Sequence, residues 1–356
     1  GNMLTETDPL GNTASYTYNE RNQILTVSDA LGNVTANIYN DKGKLLSAED
    51  PAGRKTLYTY DSHGNRISAE DHIGNITTYE YDDHGNLIRE TDPLDNVTEY
   101  GYDAYGNELT RTACRTDADG SVVTMTTENR YDHLGRVTET TDPDGFSVLT
   151  GYDPATGKQS AVTDKRNYRT EYEYDNAGNL KKITYPDETV ETFAYDAEGN
   201  RETHTDRAGR TATYIYDELN RLRKTVYPDD SYTFTEYDAA GRIIFTEDEN
   251  RNRTYFGYDK AGRRTETEDA PGSITEYGYD ANGNQVSMTD AEGRTTRYEY
   301  DALNRRIKTV YPDDTFAATE YDGCCGDRTS ETDQAGRTAT FGRDAAGRLT
   351  EVIQYA

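Results

Sequence analysis

Side chains that commonly bind metals or transfer protons are few and scattered in this sequence. Of its five histidines, His63 and His84 occupy the same turn position, 21 residues apart. Neighbouring strands lie ~4.8 Å apart, so this spacing separates the two imidazoles by ~10 Å. Ligands of one zinc ion would each lie ~2.1 Å from it. The two histidines are interpreted as solvated turn residues, and no metal site is predicted.

The chain has 66 Asp and Glu residues, so paired carboxylates alone point to no particular chemistry. Calcium requires six to eight oxygen ligands, but each turn aspartate already has a sufficient role in capping backbone N–H groups. No G-x-S-x-G segment and no Ser/His/Asp grouping is present. The sequence therefore predicts a protein that is not an enzyme, with no catalytic residue, cofactor-binding residue or cofactor.

The three cysteines are Cys114, Cys324 and Cys325, and an odd, low count argues against a disulfide framework. Bonding Cys114 to the other two would require a strip of nine or ten hairpins to spiral back on itself. Cys324 and Cys325 are adjacent in the widened turn 323–326. Either a vicinal disulfide or two free thiols fits this turn, and free thiols are favoured.

The charge balance is strongly acidic, with a net charge of −28 at pH 7. Nucleic acid is not expected as a partner, because phosphate binding requires a basic surface. The sequence contains no apolar stretch of about 18 residues and no signal peptide. This segment is therefore not expected to span a membrane.

Tyrosine is the residue type with a clear pattern, since 15 of the 31 tyrosines form a series with spacings of 21 or 22 residues and one longer step. Most members of the main series precede an aspartate, and a second aromatic series lies two residues upstream. A tyrosine can bury its ring while its hydroxyl remains hydrogen-bonded. The predicted structural tyrosine column consists of Tyr18, Tyr39, Tyr60, Tyr81, Tyr102, Tyr131, Tyr152, Tyr174, Tyr195, Tyr216, Tyr237, Tyr258, Tyr279, Tyr300 and Tyr321.

Each repeat is expected to form one β-hairpin. In a regular copy, residues 87–91 and 97–102 alternate in polarity, which predicts two strands. Segments 82–86 and 92–96 carry the Asp, Pro, Gly and Asn residues of turns. The fold class is therefore all-β: tandem 21-residue hairpins in one long antiparallel sheet. Sheets of more than ~10 strands curl or split, so a curled, spiralling sheet is expected.

The repeats predict a single continuous array over residues 1–356, with about 16 hairpins. Both termini fall within a repeat, so the chain is interpreted as a fragment of a longer array. One step, from Tyr102 to Tyr131, is 29 residues long. The additional residues predict an extended hairpin at 112–124 that projects ~13 Å beyond its neighbours, at ~3.3 Å per residue.

The motif Y-D-x-x-G-[N/R]-x-x-x-x-T-D-x-x-G-[N/R]-x-T-x-Y-x resembles the YD repeat, or Rhs repeat, over essentially the whole chain. YD repeats occur in bacterial Rhs and wall-associated proteins, in the shell components of Tc toxins and in teneurins. The resemblance implies a hairpin strip that spirals into a hollow shell or tube. It also implies a structural module of an exported shell, secreted or at the cell surface, that sequesters a polypeptide cargo such as a toxin.

A second function remains open from the residues alone. Unpaired edge strands can template pairing with another chain, so the array would also suit an extracellular fibre or a surface adhesin assembled edge to edge. Its partners would then be adjoining repeats of the same or another copy. In such an adhesin the tyrosine rows would contact carbohydrate.

Overall fold

The computed structural model describes residues 1–116, 121–321, 327–343 and 349–354, and none of these residues is helical. Consecutive strands pair antiparallel through short turns. The predicted strands at 87–91 and 97–102 occur as Leu87–Thr91 and Val97–Tyr102. The all-β fold class, with tandem antiparallel hairpins, is therefore confirmed.

The regular hairpins pair a five-residue strand with a following six-residue strand. The strands of the described residues, in chain order, are β1 Thr5–Thr7, β2 Thr13–Tyr18, β3 Ile24–Ser28, β4 Val34–Tyr39, β5 Leu45–Glu49, β6 Lys55–Tyr60, β7 Arg66–Glu70, β8 Ile76–Tyr81, β9 Leu87–Thr91, β10 Val97–Tyr102, β11 Glu108–Thr116, β12 Val122–Tyr131, β13 Val137–Thr141, β14 Ser147–Tyr152, β15 Gln159–Thr163, β16 Arg169–Tyr174, β17 Leu180–Thr184, β18 Val190–Tyr195, β19 Arg201–Thr205, β20 Thr211–Tyr216, β21 Leu222–Val226, β22 Tyr232–Tyr237, β23 Ile243–Glu247, β24 Arg253–Tyr258, β25 Arg264–Glu268, β26 Ile274–Tyr279, β27 Gln285–Thr289, β28 Thr295–Tyr300, β29 Arg306–Val310, β30 Phe316–Tyr321, β31 Arg328–Thr332, β32 Thr338–Arg343 and β33 Leu349–Gln354.

A five-residue aspartate turn ends most strands, and the turn at 61–65 is representative. The Gly64 N–H donates to the Asp61 carbonyl at 3.2 Å, and Gly64 has a φ of 90°. The Asp61 Oδ1 accepts from the N–H groups of His63 and Asn65 at 2.9 and 2.8 Å. This is a tight turn followed by a left-handed residue, which is common in hairpins with short loops.

The last turn position is Asn or Arg in most aspartate turns, and both side chains reach the same carboxylate oxygen. Asn65 Nδ2 donates to Asp61 Oδ2 at 3.0 Å. In the turn at 132–136, Arg136 Nε donates to Asp132 Oδ2 at 2.8 Å. Either residue thus satisfies the second oxygen of the capping aspartate.

The Tyr-Pro-Asp turns keep this backbone but move the cap. In the turn at 185–189, Glu188 N–H donates to the Tyr185 carbonyl at 3.0 Å. Asp187, now at the third position, accepts from the Thr189 hydroxyl at 2.6 Å. The backbone conformation of the turn is therefore the same whichever residue caps it. Glu188 takes the left-handed position of this turn, with a φ of 65°.

Replacing Glu188 by Gly is expected to raise the free energy of unfolding by about 0.5 to 1 kcal/mol, because non-glycine residues are disfavoured in the left-handed region. The matched change is Gly209→Ala, at a φ of 78° with open space where a Cβ would lie. It is expected to lower that free energy by about 1 kcal/mol. Urea unfolding of both variants measures the effects, and equal shifts of the same sign would contradict the prediction.

The two faces of the sheet differ in exposure. Along β16 the side chains of Thr170, Tyr172 and Tyr174 are half-buried, whereas those of the alternate residues are exposed. We call the half-buried side the tyrosine face and the other side the opposite face. Period-2 alternation places the tyrosine column and the aromatic series two residues upstream on this one face.

Few side chains are completely buried. Among the described residues only Ala161, Ser47 and Glu247 are buried. The described part of the chain therefore lacks a conventional apolar core. Its stability depends on half-buried rings, strand pairing and capped turns.

The chain divides into two compact units, residues 1–98 with 256–356 and residues 99–255. The first unit combines segments from the two ends of the sequence. Within it, Asn282 Nδ2 donates to Asp29 Oδ2 at 2.7 Å. Asp29 lies in a turn that follows a five-residue strand, here called a Thr-series turn. Asn282 lies in a turn that follows a column tyrosine, here called a Tyr-series turn, so turns from opposite edges of the strip meet in this unit.

Some predicted features lie partly outside the described residues. These are the cysteine pair at 324–325 and the tip of the long hairpin at 117–120. Cys114 is a free, half-buried thiol. Within the described ranges, no helix has the length and apolar character needed to cross a membrane.

Candidate functional site: the tyrosine column and its turns

Each column tyrosine is the last residue of its strand, at the open end of its hairpin; that strand has six residues except at Tyr131, which ends the ten-residue β12. In the hairpin of β17 and β18, strand pairing runs from Thr184–Val190 to Lys182–Thr192 and does not extend to the ends at Leu180 and Tyr195. The Tyr195 hydroxyl reaches across this gap and donates to the Leu180 carbonyl at 2.9 Å. The tyrosine thereby joins the last residue of the hairpin to its first.

The same bond recurs along the array. At least eleven column tyrosines donate to a main-chain carbonyl, at 2.7 to 3.1 Å and in most cases 15 residues upstream. They are Tyr18, Tyr60, Tyr81, Tyr131, Tyr152, Tyr174, Tyr195, Tyr216, Tyr237, Tyr279 and Tyr300.

A cation from the preceding Tyr-series turn covers many of these rings. The Arg136 guanidinium lies 4.3 Å from the Tyr152 ring centroid, and its Nη1 donates to the Gly157 carbonyl at 2.9 Å. Lys158 repeats both contacts one hairpin later, at 5.1 Å from the Tyr174 ring and 2.7 Å from the Gly178 carbonyl. Both last-turn residues therefore cover the ring of the next column tyrosine and bond to the next turn of the same kind. Arg136 in addition caps the aspartate of its own turn.

The aromatic series two residues upstream has its own cations. Arg66 lies between two rings, 5.6 Å from the Tyr58 centroid and 4.7 Å from the Tyr79 centroid. Phe193 instead stacks on His204, with centroids 4.8 Å apart and planes 4° apart. The tyrosine face is thus a ladder of alternating rings and cations, and such contacts contribute about 0.5 to 1 kcal/mol each at exposed sites.

The electrostatics of the column and the turns favour the protonation states that these bonds require. Burial raises the pKa of Tyr174 above its ordinary value, and the neighbouring Tyr172 adds to the effect. The hydrogen bond from Arg136 lowers the pKa of Asp132 to about 2. At neutral pH the tyrosine therefore remains a donor and the aspartate remains an acceptor.

Two grooves lie beside Tyr-Pro-Asp turns of the second unit. The first, of about 480 Å³, is lined in part by Tyr168, Tyr185 and Arg207. The second, of about 500 Å³, has the corresponding wall of Tyr227 and faces Glu249 where the first has Arg207. Because the residue facing the turn differs in charge, the two grooves are not copies of one ligand site.

The remaining sequence candidates are not brought together. His63 and His84 each donate a backbone N–H to the aspartate of their own turn. Across the described ranges, no group of three or more His, Cys, Asp or Glu side chains is arranged to hold a metal ion.

Comparison with known families agrees with the repeat geometry. A family model described as RHS Repeat matches more than half of the chain, at residues 1–34, 39–72, 62–93, 81–122, 279–315 and 326–356. The chain belongs to the RHS-repeat family. The Teneurin YD-shell model matches residues 116–251 of this RHS-repeat chain. The predicted resemblance is therefore confirmed, and the chain is a structural repeat array.

Solved structures share the fold of this RHS-repeat array. Crystal structures titled TcdB2-TccC3-Cdc42 and TcdB2-TccC3 each match 97% of the chain, with a TM-score of 0.64 at 16% and 17% identity. A third, TcdB2-TccC3-TEV, matches with a TM-score of 0.62 at 17% identity. The array spans 22 to 23% of the length of those chains. No curated protein matches the sequence.

Sequence reasoning missed the hydrogen-bond partner of the tyrosine column and the second role of the last turn residue. The bond from Tyr195 to Leu180 could not be predicted from the sequence, because its acceptor is a backbone carbonyl. The residue that carries this carbonyl can have any side chain, so no residue type marks its position. The Asn or Arg at the last turn position was visible in the motif. Its bond to the following turn required the geometry of successive hairpins.

Proposed function

We propose that this RHS-repeat array is a section of the wall of an exported shell that encloses a polypeptide. The observation that supports this proposal best is the fold similarity of 97% of the chain to the TcdB2-TccC3 structures. The array corresponds to 22% of the matched chain. Its role would therefore be to supply part of the wall rather than to close a cavity alone.

The geometry of the repeat suits such a wall. Each hairpin is closed by its tyrosine hydroxyl, as Tyr152 closes the hairpin of β13 and β14. It is bonded to the next hairpin by strand pairing and by last-turn residues such as Arg136. A repeat array gains stability from contacts between neighbours and needs no central core. A strip of this kind leaves its tyrosine face or its opposite face available to an enclosed chain.

The long hairpin of β11 and β12 is proposed as a docking element of this wall. These strands have nine and ten residues, compared with five and six in the regular hairpins. Their pairing continues to Thr116 and Val122. At ~3.3 Å per residue, four additional residues would carry the hairpin ~13 Å beyond its neighbours.

The test is protease protection of the protein isolated from its native source. At pH 7 an enclosed polypeptide is expected to survive proteinase K at least tenfold longer than after the wall is opened at pH 3 and returned to pH 7. Shortening the long hairpin to regular length is expected to reduce retention of that polypeptide. Filaments or ladders of oligomers with no protected polypeptide would instead support the fibre and overturn the shell.

A further inference from the structure

One region of the opposite face differs from the rest of it. Elsewhere that face presents short polar pairs, such as the Thr59 and Ser68 hydroxyls at 2.5 Å, and exposed aliphatic residues, such as Ile38 and Leu57. On β22 to β24, four aromatic residues occupy these positions instead. With the cations stacked on them they form the aromatic-cationic patch, whose rings are Tyr232, Phe234, Phe245 and Tyr255.

The rings of the patch form a continuous group. Phe245 lies 5.8 Å from Phe234 and 5.5 Å from Tyr255, centroid to centroid, with tilted planes. Phe245 and Tyr255 are direct partners across β23 and β24. Tyr255 remains 39% exposed although the other rings of the group lie beside it. Aromatic groups at such distances attract each other and provide a rigid apolar surface.

Four cations lie over these rings. Arg251 and Lys224 are 3.4 and 3.8 Å from the Tyr232 centroid. Arg253 is 4.7 Å from the Phe245 centroid. The remaining cation, Arg223, is 5.0 Å from the Phe234 centroid. The cationic groups are therefore held at fixed places on the surface rather than extended into solvent.

A buried carboxylate fixes the two arginines. Glu247, one of the few buried side chains, accepts from Arg251 Nη1 at 3.1 Å and from Arg253 Nε at 2.8 Å. Both arginine side chains remain about half exposed, at 53% and 49%. A guanidinium has five N–H donors, so each arginine can still donate to a ligand in addition to Glu247.

We propose that the aromatic-cationic patch binds an acidic polypeptide segment that carries apolar side chains between its carboxylates. Arginine forks match carboxylates in pairs of parallel hydrogen bonds, and the rings between them would contact the apolar side chains. Aromatic residues and arginine are also the types that dominate binding energy in protein interfaces. Two carboxylates pair with these cations, Glu236 with Arg223 and Glu247 with both Arg251 and Arg253.

A nucleic acid fits this surface less well. The whole chain carries a net charge of −28. The turn that holds Arg251 also contains Asp248 and Glu249, which would repel a closely spaced row of phosphates. A polypeptide can space its carboxylates to meet the arginines and avoid these residues.

An internal copy shows that the patch is not a consequence of the repeat. Residues 301–322 are identical to residues 217–238 at 15 of 22 positions. Two of the differences remove patch features, because Ile307 and Ala318 replace Arg223 and Phe234. Phe316 keeps a ring at the place of Tyr232, with Lys308 5.1 Å from its centroid, but without the neighbouring Phe234 ring. Lys308 keeps the place of Lys224, and thus provides a matched control that lacks the patch.

The test is fluorescence anisotropy of the full chain with a labelled peptide of three Glu-Phe-Glu-Gly units. Lys224→Gln and Tyr255→Ser are each expected to weaken binding at least fivefold, and Arg253→Gln at least tenfold. Lys308→Gln is expected to stay within twofold. Circular dichroism identifies any variant that has unfolded. If the Arg253 variant unfolds, the Lys224 variant keeps the test valid, because among the described residues Lys224 has no ion pair within 4.0 Å.

Three comparison probes decide the ligand class. Peptides with Lys in place of Glu, or Ser in place of Phe, are expected to bind at least tenfold more weakly, as is a twelve-nucleotide oligothymidine. Equal binding of the oligonucleotide, or equal effects of Lys224→Gln and Lys308→Gln, would overturn the proposal. The binding measurement uses the isolated chain, so the proposed patch does not depend on the proposed shell. If the peptide does not bind, the shell proposal is unaffected.

Discussion

Lowering the pH from 4 to 2 is expected to unfold the chain cooperatively, and this is the largest effect that we predict. Nineteen turn aspartates are the cause, because the pKa values of these carboxyls lie below the ordinary 3.8. In Asp132 the hydrogen bond from Arg136 is the largest contribution and lowers the pKa to about 2. The same direction holds for the turn aspartates Asp8, Asp29, Asp50, Asp61, Asp82, Asp103, Asp142, Asp153, Asp175, Asp196, Asp206, Asp217, Asp238, Asp248, Asp259, Asp290, Asp301 and Asp333.

The sign follows from linkage between protonation and folding. A carboxyl whose pKa is lower in the folded chain stabilises that chain above its unfolded pKa, here 3.8. This contribution disappears as the pH falls through the folded pKa, which for Asp132 is about 2. Between pH 7 and 4 the opposite trend is expected, since partial neutralisation of the −28 net charge reduces self-repulsion. Stability should therefore pass through a maximum before it falls.

Urea unfolding followed by circular dichroism from pH 7 to 2 measures this profile. The control variant is Asp132→Asn, which keeps an acceptor for the turn N–H groups but cannot titrate. It is expected to be less stable at pH 7 and to show a smaller loss between pH 4 and 2. Repeating the series at 1 M salt separates long-range repulsion from the turn bonds, because the Debye length is then ~3 Å. A flat profile below pH 4 would refute the role of the turns.

The turn signature carried most of the information about the fold. Asp92, Pro93 and Asn96 mark a turn whose position sets the limits of both flanking strands, and those limits were predicted correctly. Asp95 stands where most copies have Gly, and its φ of 61° shows that the backbone keeps the conformation of the glycine copies. Turns of this kind can be predicted from the sequence because all the residues that form one turn lie within five consecutive positions.

Features that depend on residues far apart in the sequence, or on neighbouring hairpins, could not be predicted from the sequence. The contact between Asn282 and Asp29 joins residues 253 positions apart, and no repeat unit specifies it. The aromatic-cationic patch was missed because Phe234, Phe245 and Tyr255 lie outside the tyrosine period. They become one surface only when β22, β23 and β24 are placed side by side. The tyrosine period identified the face that recurs in every hairpin. The proposed binding surface lies on the opposite face, at residues that do not follow this period.

Removing one column ring is expected to have the second largest effect. Tyr174 donates to the Gln159 carbonyl at 3.0 Å, and its half-buried ring is covered by Lys158. Tyr174→Phe is expected to lower the free energy of unfolding by about 1 kcal/mol, the usual net value of such a bond. Tyr174→Ala also removes the ring and is expected to cost about 3 kcal/mol, toward the lower limit for an aromatic deletion because burial is incomplete.

The control for both changes is Tyr105, whose side chain is 91% exposed. Tyr105→Phe and Tyr105→Ala are expected to change the free energy of unfolding by no more than about 0.5 kcal/mol. Urea unfolding gives the total effect, and hydrogen exchange of the β15–β16 hairpin shows whether the loss is local. Equal costs at Tyr174 and Tyr105 would show that the column contributes no more than surface tyrosines.

Alkaline titration tests the same hydroxyl without deleting the ring. Burial raises the pKa of Tyr174 above its model-compound value of 10.0, with a smaller contribution from Tyr172. A group with a raised folded pKa contributes stability below its unfolded pKa, and that stability is lost as the pH rises through the folded pKa. The native chain should therefore weaken above pH 10 as the Tyr174 hydroxyl ionises and ceases to donate. Tyr174→Phe should lose less stability over that interval than the native chain, and an equal loss would show that the Tyr174 bond does not contribute to it.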